Sequence, residues 1–203
     1  MTEPRIPLPG PEDMSEPQRA VFDKIVNGPR GNLVGPLRAA LHNPTLADRW
    51  QALGQVLRFE TSLPVSLNEL AILVAARHWN SELEWTIHAR EARRAGLDTA
   101  VIEDLRAGRL PGFASEDQQE IYEYSRELLE TGRVSDGVYG AVRARWGVVG
   151  VVELTALVGY YSMVAMTLNA HGIPLPDHIS PELNSVSDER TPLPPAAMSS
   201  VAE

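Results

Sequence analysis

Residues 68–97 read NELAILVAARHWNSELEWTIHAREARRAGL, and this stretch decides the fold. Leu70, Leu73 and Val74 recur at the helical spacing of three and four, so a helix is expected over 66–79. A second amphipathic helix, over 81–95, meets it at Trp79-Asn80-Ser81, where Asn80 or Ser81 is a suitable cap. Within the second helix Ser81, Glu84 and His88 are spaced by three and four, which puts them on one face and within reach of one another. Leu83, Ile87 and Ala95 share the other faces with Arg90, Arg93 and Arg94, so the polar stripe is not simply the charged outer side. Glu69 falls in the first turn of the preceding helix, where a carboxylate suits the positive helix end.

Working outward, the same period appears in Val21, Ile25 and Val26, and again in Leu46, Trp50, Leu53 and Leu57, while sheet signals are scarce. The expectation is an all-α protein of about nine helices, over 15–27, 36–42, 44–59, 66–79, 81–95, 98–107, 115–131, 135–146 and 148–170. Of the 16 prolines, Pro29, Pro36, Pro44, Pro64 and Pro111 are interior and fall between helical patterns, and the other eleven lie at or before Pro17 or from Pro174 onward. The rest mark an extended arm over 1–14 and a tail over 176–203 that mixes Pro, Ser and acids and is expected to be flexible. The domain between them spans 15–175. Its GPRGNLVGP loop lacks the Lys-Ser/Thr ending of a phosphate-binding loop and is given a structural role.

Composition narrows the chemistry. A net charge of −9 works against nucleic acid and against anionic membrane surfaces as partners. The chain has no cysteine, which excludes disulfides, thiol nucleophiles and thiolate metal sites. The acidic, proline-rich start does not read as an export signal, so a cytoplasmic setting is expected. Val148 to Leu168 is apolar enough to span a bilayer, but Glu153, Thr155, Ser162, Tyr160 and Tyr161 interrupt it and no basic flank follows. The expectation is a helix buried in the core or at a subunit interface, not a membrane span, and with it a homo-oligomer.

A Glu and a His four apart suit acid-base work, because the carboxylate can orient the imidazole while the imidazole exchanges a proton near neutrality. The plain alternative is an exposed helical pair worth a few tenths of a kcal/mol. A metal would need a third ligand, for which His78 or Glu69 could be offered, but no recognised zinc spacing is present, so none is expected. Trp79 and Trp85 flank the motif and either wall a small molecule or pack the core. Tyr160, Tyr161, Asn169 and His171 sit toward the end of the apolar helix, some of them candidates for the same cavity. His42 and His178 are assigned nothing.

The Glu69, Ser81, Glu84, His88 frame resembles the carboxymuconolactone decarboxylase family, which includes alkyl hydroperoxidase D and shares an all-helical fold. Its peroxidase branch carries Glu, eleven residues, Cys-x-x-Cys, three residues and His; here Ser81 and Glu84 stand where the cysteines would be. Serine and carboxylate cannot form the sulfenic acid or disulfide of thiol-based peroxide reduction, so that activity is disfavoured. The decarboxylase branch resembles the Glu84–His88 arrangement. The resemblance is strongest over 60–106 and extends to the GPRGNL loop, the RFETSLP approach and the closing GYYSMVAMTLNAHGIPLP. It implies cofactor-independent loss of carbon dioxide from a small lactone or keto carboxylic acid, with a trimer or hexamer as the assembly. His88 would deliver the proton, Glu84 would orient it, and Glu69 would tune the pocket or handle a substrate proton. Ser81, Arg77, His78, Trp85 and Tyr161 are the candidate substrate-binding residues. Two other readings stay open: another proton-transfer enzyme, such as an isomerase or hydratase, and a non-catalytic oligomeric binding protein.

Overall fold

Short polar residues and proline start the helices where the sequence places them. In the computed structural model, which describes residues 3–33, 35–176, 179–183 and 191–197, a 3₁₀ turn at Pro11–Asp13 precedes eight α-helices. These are α1 Glu16–Val26, α2 Gly35–Ala40, α3 Pro44–Phe59, α4 Val65–His78, α5 Glu82–Arg94, α6 Thr99–Arg106, α7 Glu116–Thr131 and α8 Asp136–His171. No strand occurs among the described residues. Ser15 and Gln18 close a reciprocal capping box on α1. The side chain of Asn43 accepts from the Leu46 N–H at 3.1 Å, and that of Asp98 from the Ala100 N–H at 2.8 Å, satisfying donors that helix starts leave open.

The helices expected at 135–146 and 148–170 form one element. Gly147, at φ 67° and ψ −172°, breaks the helical geometry between two arms of α8, a conformation that side chains other than glycine rarely adopt. Asn80, between α4 and α5, also has a positive φ of 48°. A short polar side chain tolerates this region better than most, which lets the two helices of the motif fold back on each other.

The core is built around α4, which packs against α5, α7 and α8. Every residue from Leu67 to Ala76 is buried, including Asn68 and Glu69. The helix surrounded on all sides is α4, whereas the apolar stretch 148–168, expected in the core or at a subunit interface, is buried along one side only. One side of α8 is buried through Val151, Leu154, Leu157, Val158, Tyr161 and Leu168, whereas Val148, Val149, Val152, Met163 and Met166 are exposed. By length and composition α8 could cross a membrane, yet half of its most apolar window lies inside the protein. Its polar interruptions are also engaged. The Ser62 N–H and hydroxyl both donate to Glu153 Oε2, at 2.8 and 2.6 Å, and the Thr155 hydroxyl is 2.7 Å from that of Tyr124.

The described stretches of the C-terminal tail correct the flexible-tail expectation. Leu183, Leu193 and Ala196 are buried. The Thr191 N–H donates to the His78 carbonyl at 3.0 Å, and the Tyr122 hydroxyl to the Pro194 carbonyl at 2.6 Å. A few apolar side chains and backbone hydrogen bonds offset the ordering entropy that composition alone suggested the tail could not meet. The remaining parts of that expectation, at 177–178, 184–190 and 198–203, and His178 with them, lie outside the described residues.

Candidate acid–base site

Glu69 enters the core because α4 is buried around its whole circumference, and His88 because it lies on the inner face of α5. The His88 Nδ1 is 2.7 Å from Glu69 Oε2, with both side chains nearly solvent-free. With Glu69 as carboxylate, Nδ1–H donates and Nε2 is the ring nitrogen left for a ligand. The Tyr161 ring stands edge-on to His88, with centroids 4.8 Å apart and planes at 84°, and packs likewise on Tyr160 at 5.2 Å. These contacts fix the plane of the imidazole.

The sequence paired His88 with Glu84; the structure pairs it with Glu69. The residues four apart on α5 do project toward the same cavity, but the imidazole turns its Nδ1 across to α4. Glu84 is left as a separate, fully buried carboxyl. Burial pushes it well above the usual carboxylate range, opposed by the nearby Ser81 hydroxyl. That opposition is weak, because neither Ser81 Oγ nor either Glu84 oxygen has a hydrogen-bond partner among the described residues. Ser81 takes the N-cap position of α5 without its side chain capping the helix, so its hydroxyl stays beside Glu84. Burial also raises the Tyr161 hydroxyl strongly and keeps it neutral.

A cavity of about 50 Å³ lies among these groups. It is lined by Glu84, His88, Tyr160 and Tyr161, by Arg30 and Arg58, and by aliphatic residues that include Leu83 and Ile87. This space has room for a few water molecules. A second hollow of about 500 Å³ opens toward the surface between α5, the GPRGNL loop, residues 173–176 and Ile179, and Leu83 and Ile87 line it too. The two residues form a wall shared by the outer hollow and the inner cavity.

Three expected substrate residues stand elsewhere. Arg77 donates to the Arg106 carbonyl at 3.0 Å, to Thr191 Oγ1 at 2.6 Å and to Asn80 Oδ1, joining α4, α6 and the tail. Burial, with Arg106 close by, lowers its pKa from the ordinary arginine value. His78 is buried with its ring edge-on to Trp79, and Trp85 donates through Nε1 to Glu182 at 3.2 Å. None of the three lines either hollow. Tyr161 lines the inner cavity. The sequence reading missed Arg30 and Arg58, which come from the GPRGNL loop and the end of α3, 58 and 30 residues upstream of His88. Only chain folding brings them there, although a lone arginine inside a glycine-flanked loop was a weak signal. Among the described residues no three His, Asp or Glu side chains are grouped closely enough to hold a metal ion.

No family model and no curated protein matches the chain. Solved structures do. The alkylhydroperoxidase AhpD core of an uncharacterized peroxidase-related protein from Ralstonia eutropha JMP134 superposes with a TM-score of 0.70 at 13% identity, over 86% of this chain and 93% of that one. An uncharacterized peroxidase-related protein from Silicibacter sp. TM1040 gives a TM-score of 0.69 at 13% identity, over 86% and 92%. At that identity the likeness carries architecture and not chemistry. The all-helical chain has the alkylhydroperoxidase D-like fold.

Proposed function

We propose that the protein is a cofactor-independent proton-transfer enzyme acting on a small carbonyl acid, with loss of carbon dioxide as its reaction. The observation that supports this best is the buried His88–Glu69 pair beside a cavity that the buried Glu84 carboxyl also lines, with burial raising the Glu84 pKa. Glu69 orients the imidazole so that Nε2 can accept or return a proton, and Glu84, kept neutral by burial, is a proton donor a few residues away. In decarboxylation the electron pair left by carbon dioxide moves into the substrate's own carbonyl, and one acid must then protonate carbon. The roles of the two glutamates are thus exchanged relative to the sequence reading, while His88 keeps its own.

A base and an acid on one cavity equally suit isomerisation of a carbonyl compound, which is the second reading; a binding protein that uses the same cavity without turnover is the third. Incubation with a panel of lactone carboxylic acids and β-keto acids separates them, following carbon dioxide release and product structure. Replacement of His88 by Ala should lower turnover by about 10²–10⁴-fold with the helical circular-dichroism spectrum retained. Unchanged turnover in that variant would remove His88 from the mechanism. Product formed without carbon dioxide selects isomerisation.

The proposed partner of the exposed apolar face of α8 is a second copy of the chain, in a cytoplasmic setting. Val148, Val149 and Val152, each more than half exposed, lie on that face. Light scattering on the full chain should show an oligomer that Val149→Glu with Val152→Glu dissociates; a monomeric wild type refutes the assembly.

A further inference from the structure

The outer hollow is built by segments from both ends of the chain around one face of α5. Leu83, Thr86, Ile87 and Arg90 follow one another at helical spacing and form its floor. At the start of α2, a Cβ on Gly35 would come within 2.8 Å of Leu83 Cδ2 and 3.0 Å of Ile173 Cγ2, so the missing side chain lets α2 close in on that floor. The N-terminal arm adds Leu8, and the Arg5 N–H fixes the arm by donating to the His171 carbonyl at 2.8 Å. The segment after α8 adds Ile173, Leu175 and Ile179. The Ile173 N–H donates to the Leu168 carbonyl at 3.0 Å, and a little further on the Leu183 N–H donates to Glu82 at 3.1 Å. The hollow therefore stands open to the surface with its walls already fastened.

Its lining is two-sided in chemistry. Among the described residues it contains no aromatic ring and no carboxylate, and its polar side chains are Asn32, Arg38, Thr86 and Arg90. Arg90 is met by Glu91 at 3.3 Å. Arg38 is half-buried, donates through Nη2 to the Leu8 carbonyl at 2.7 Å, and enters no ion pair among the described residues. Thr86 Oγ1 is buried and has no hydrogen-bond partner among the described residues. A guanidinium with donors unspent beside apolar walls favours an anion, and a carboxylate can accept from a guanidinium and from a hydroxyl. Aliphatic walls with no ring to stack on favour a saturated chain over an aromatic body.

We propose that the outer hollow is a binding site for a small aliphatic carboxylic acid, with the carboxylate on Arg38 and Thr86 and the alkyl chain against Leu83, Ile87 and Ile173. Its 500 Å³ falls within the range of about 300–1,000 Å³ usual for small-molecule sites. Leu83 and Ile87 separate it from the acid–base cavity, and it does not depend on the reaction proposed there.

The probes are octanoate and 1-octanol, titrated calorimetrically into the full chain. Octanoate should bind at least about tenfold more tightly than octanol, the discrimination that a charge-assisted hydrogen bond supplies. From butanoate through hexanoate to octanoate, affinity should rise by about two- to fourfold per added methylene. Arg38→Gln should remove most of the preference for the acid while leaving octanol binding and the circular-dichroism spectrum unchanged. Leu175→Trp, which fills part of the hollow from a segment outside the helices, should weaken acid and alcohol alike, and it keeps the site testable if the Arg38 variant unfolds. Equal binding of acid and alcohol, binding of neither at millimolar concentration, or binding untouched in both variants would overturn the site. His88→Ala should bind octanoate as the wild type does, because His88 does not line the outer hollow. Loss of octanoate binding in that variant would put the acid in the inner cavity and overturn the site as well.

Discussion

Two buried glutamates, on helices that both pack against α4, have opposite environments. Glu123 on α7 accepts from Arg126 Nη2 and Nε, at 2.6 and 3.0 Å, and from the Ala196 N–H at 2.9 Å. Glu84 on α5 is as deeply buried and has no hydrogen-bond partner among the described residues. A buried carboxylate with its lone pairs answered serves architecture, here by fastening the tail to α7. One left unanswered beside a cavity has its pKa raised by burial, which favours the protonated form and marks it as a candidate for chemistry.

The comparison breaks most sharply at Glu123. Replacing it by Ala leaves Arg126 without one of its two carboxylates and frees the tail, which should cost about 3 kcal/mol in urea unfolding and leave turnover intact. A change within experimental error would show that the pair is not structural. Glu84→Gln should do the reverse. The folded-state pKa of Glu84 is raised, so between its ordinary value of 4.5 and that raised value the folded state binds more protons than the unfolded one. Wild-type stability should therefore fall through this window as pH rises, by about 1.4 kcal/mol per pH unit from this group, and the glutamine variant should lack that slope. Parallel stability-against-pH curves for the two proteins would disprove the assignment. The smallest effect belongs to Tyr122→Phe, which removes the hydroxyl bonded to the Pro194 carbonyl and should cost about 1 kcal/mol, measured by thermal melting, with no change at the cavity.

The helices were legible because their signals are local. Asn43-Pro44 and Asp98 start α3 and α6 at the positions expected of capping residues, and Gly132 ends α7 with a left-handed φ of 70°. Each expected helix falls within two residues of an observed one, apart from the pair that meets at Gly147 to form α8. The candidate site was legible only in part. The spacing of Ser81, Glu84 and His88 placed the three on one face of α5, and the resemblance drew Glu69 into the set. Neither could tell which carboxylate the imidazole would choose, since residues four apart on one helix are within reach but so is a residue on the helix packed against it. Arg77, Trp85 and His78 were nominated by closeness in the chain, and Arg77 and the buried Trp85 turn away from the cavity to hold α6 and the tail, with the His78 carbonyl receiving Thr191.

By itself the sequence determined the all-helical class, the helix boundaries and the absence of thiol chemistry, because periodicity, caps and composition are properties of a segment or of a count. Tertiary structure alone decided that His88 turns to Glu69, that burial raises the Glu84 pKa, and that Arg30 and Arg58 reach the same hollow. Desolvation and charge pairing depend on which surfaces meet, and those surfaces belong to residues far apart along the chain.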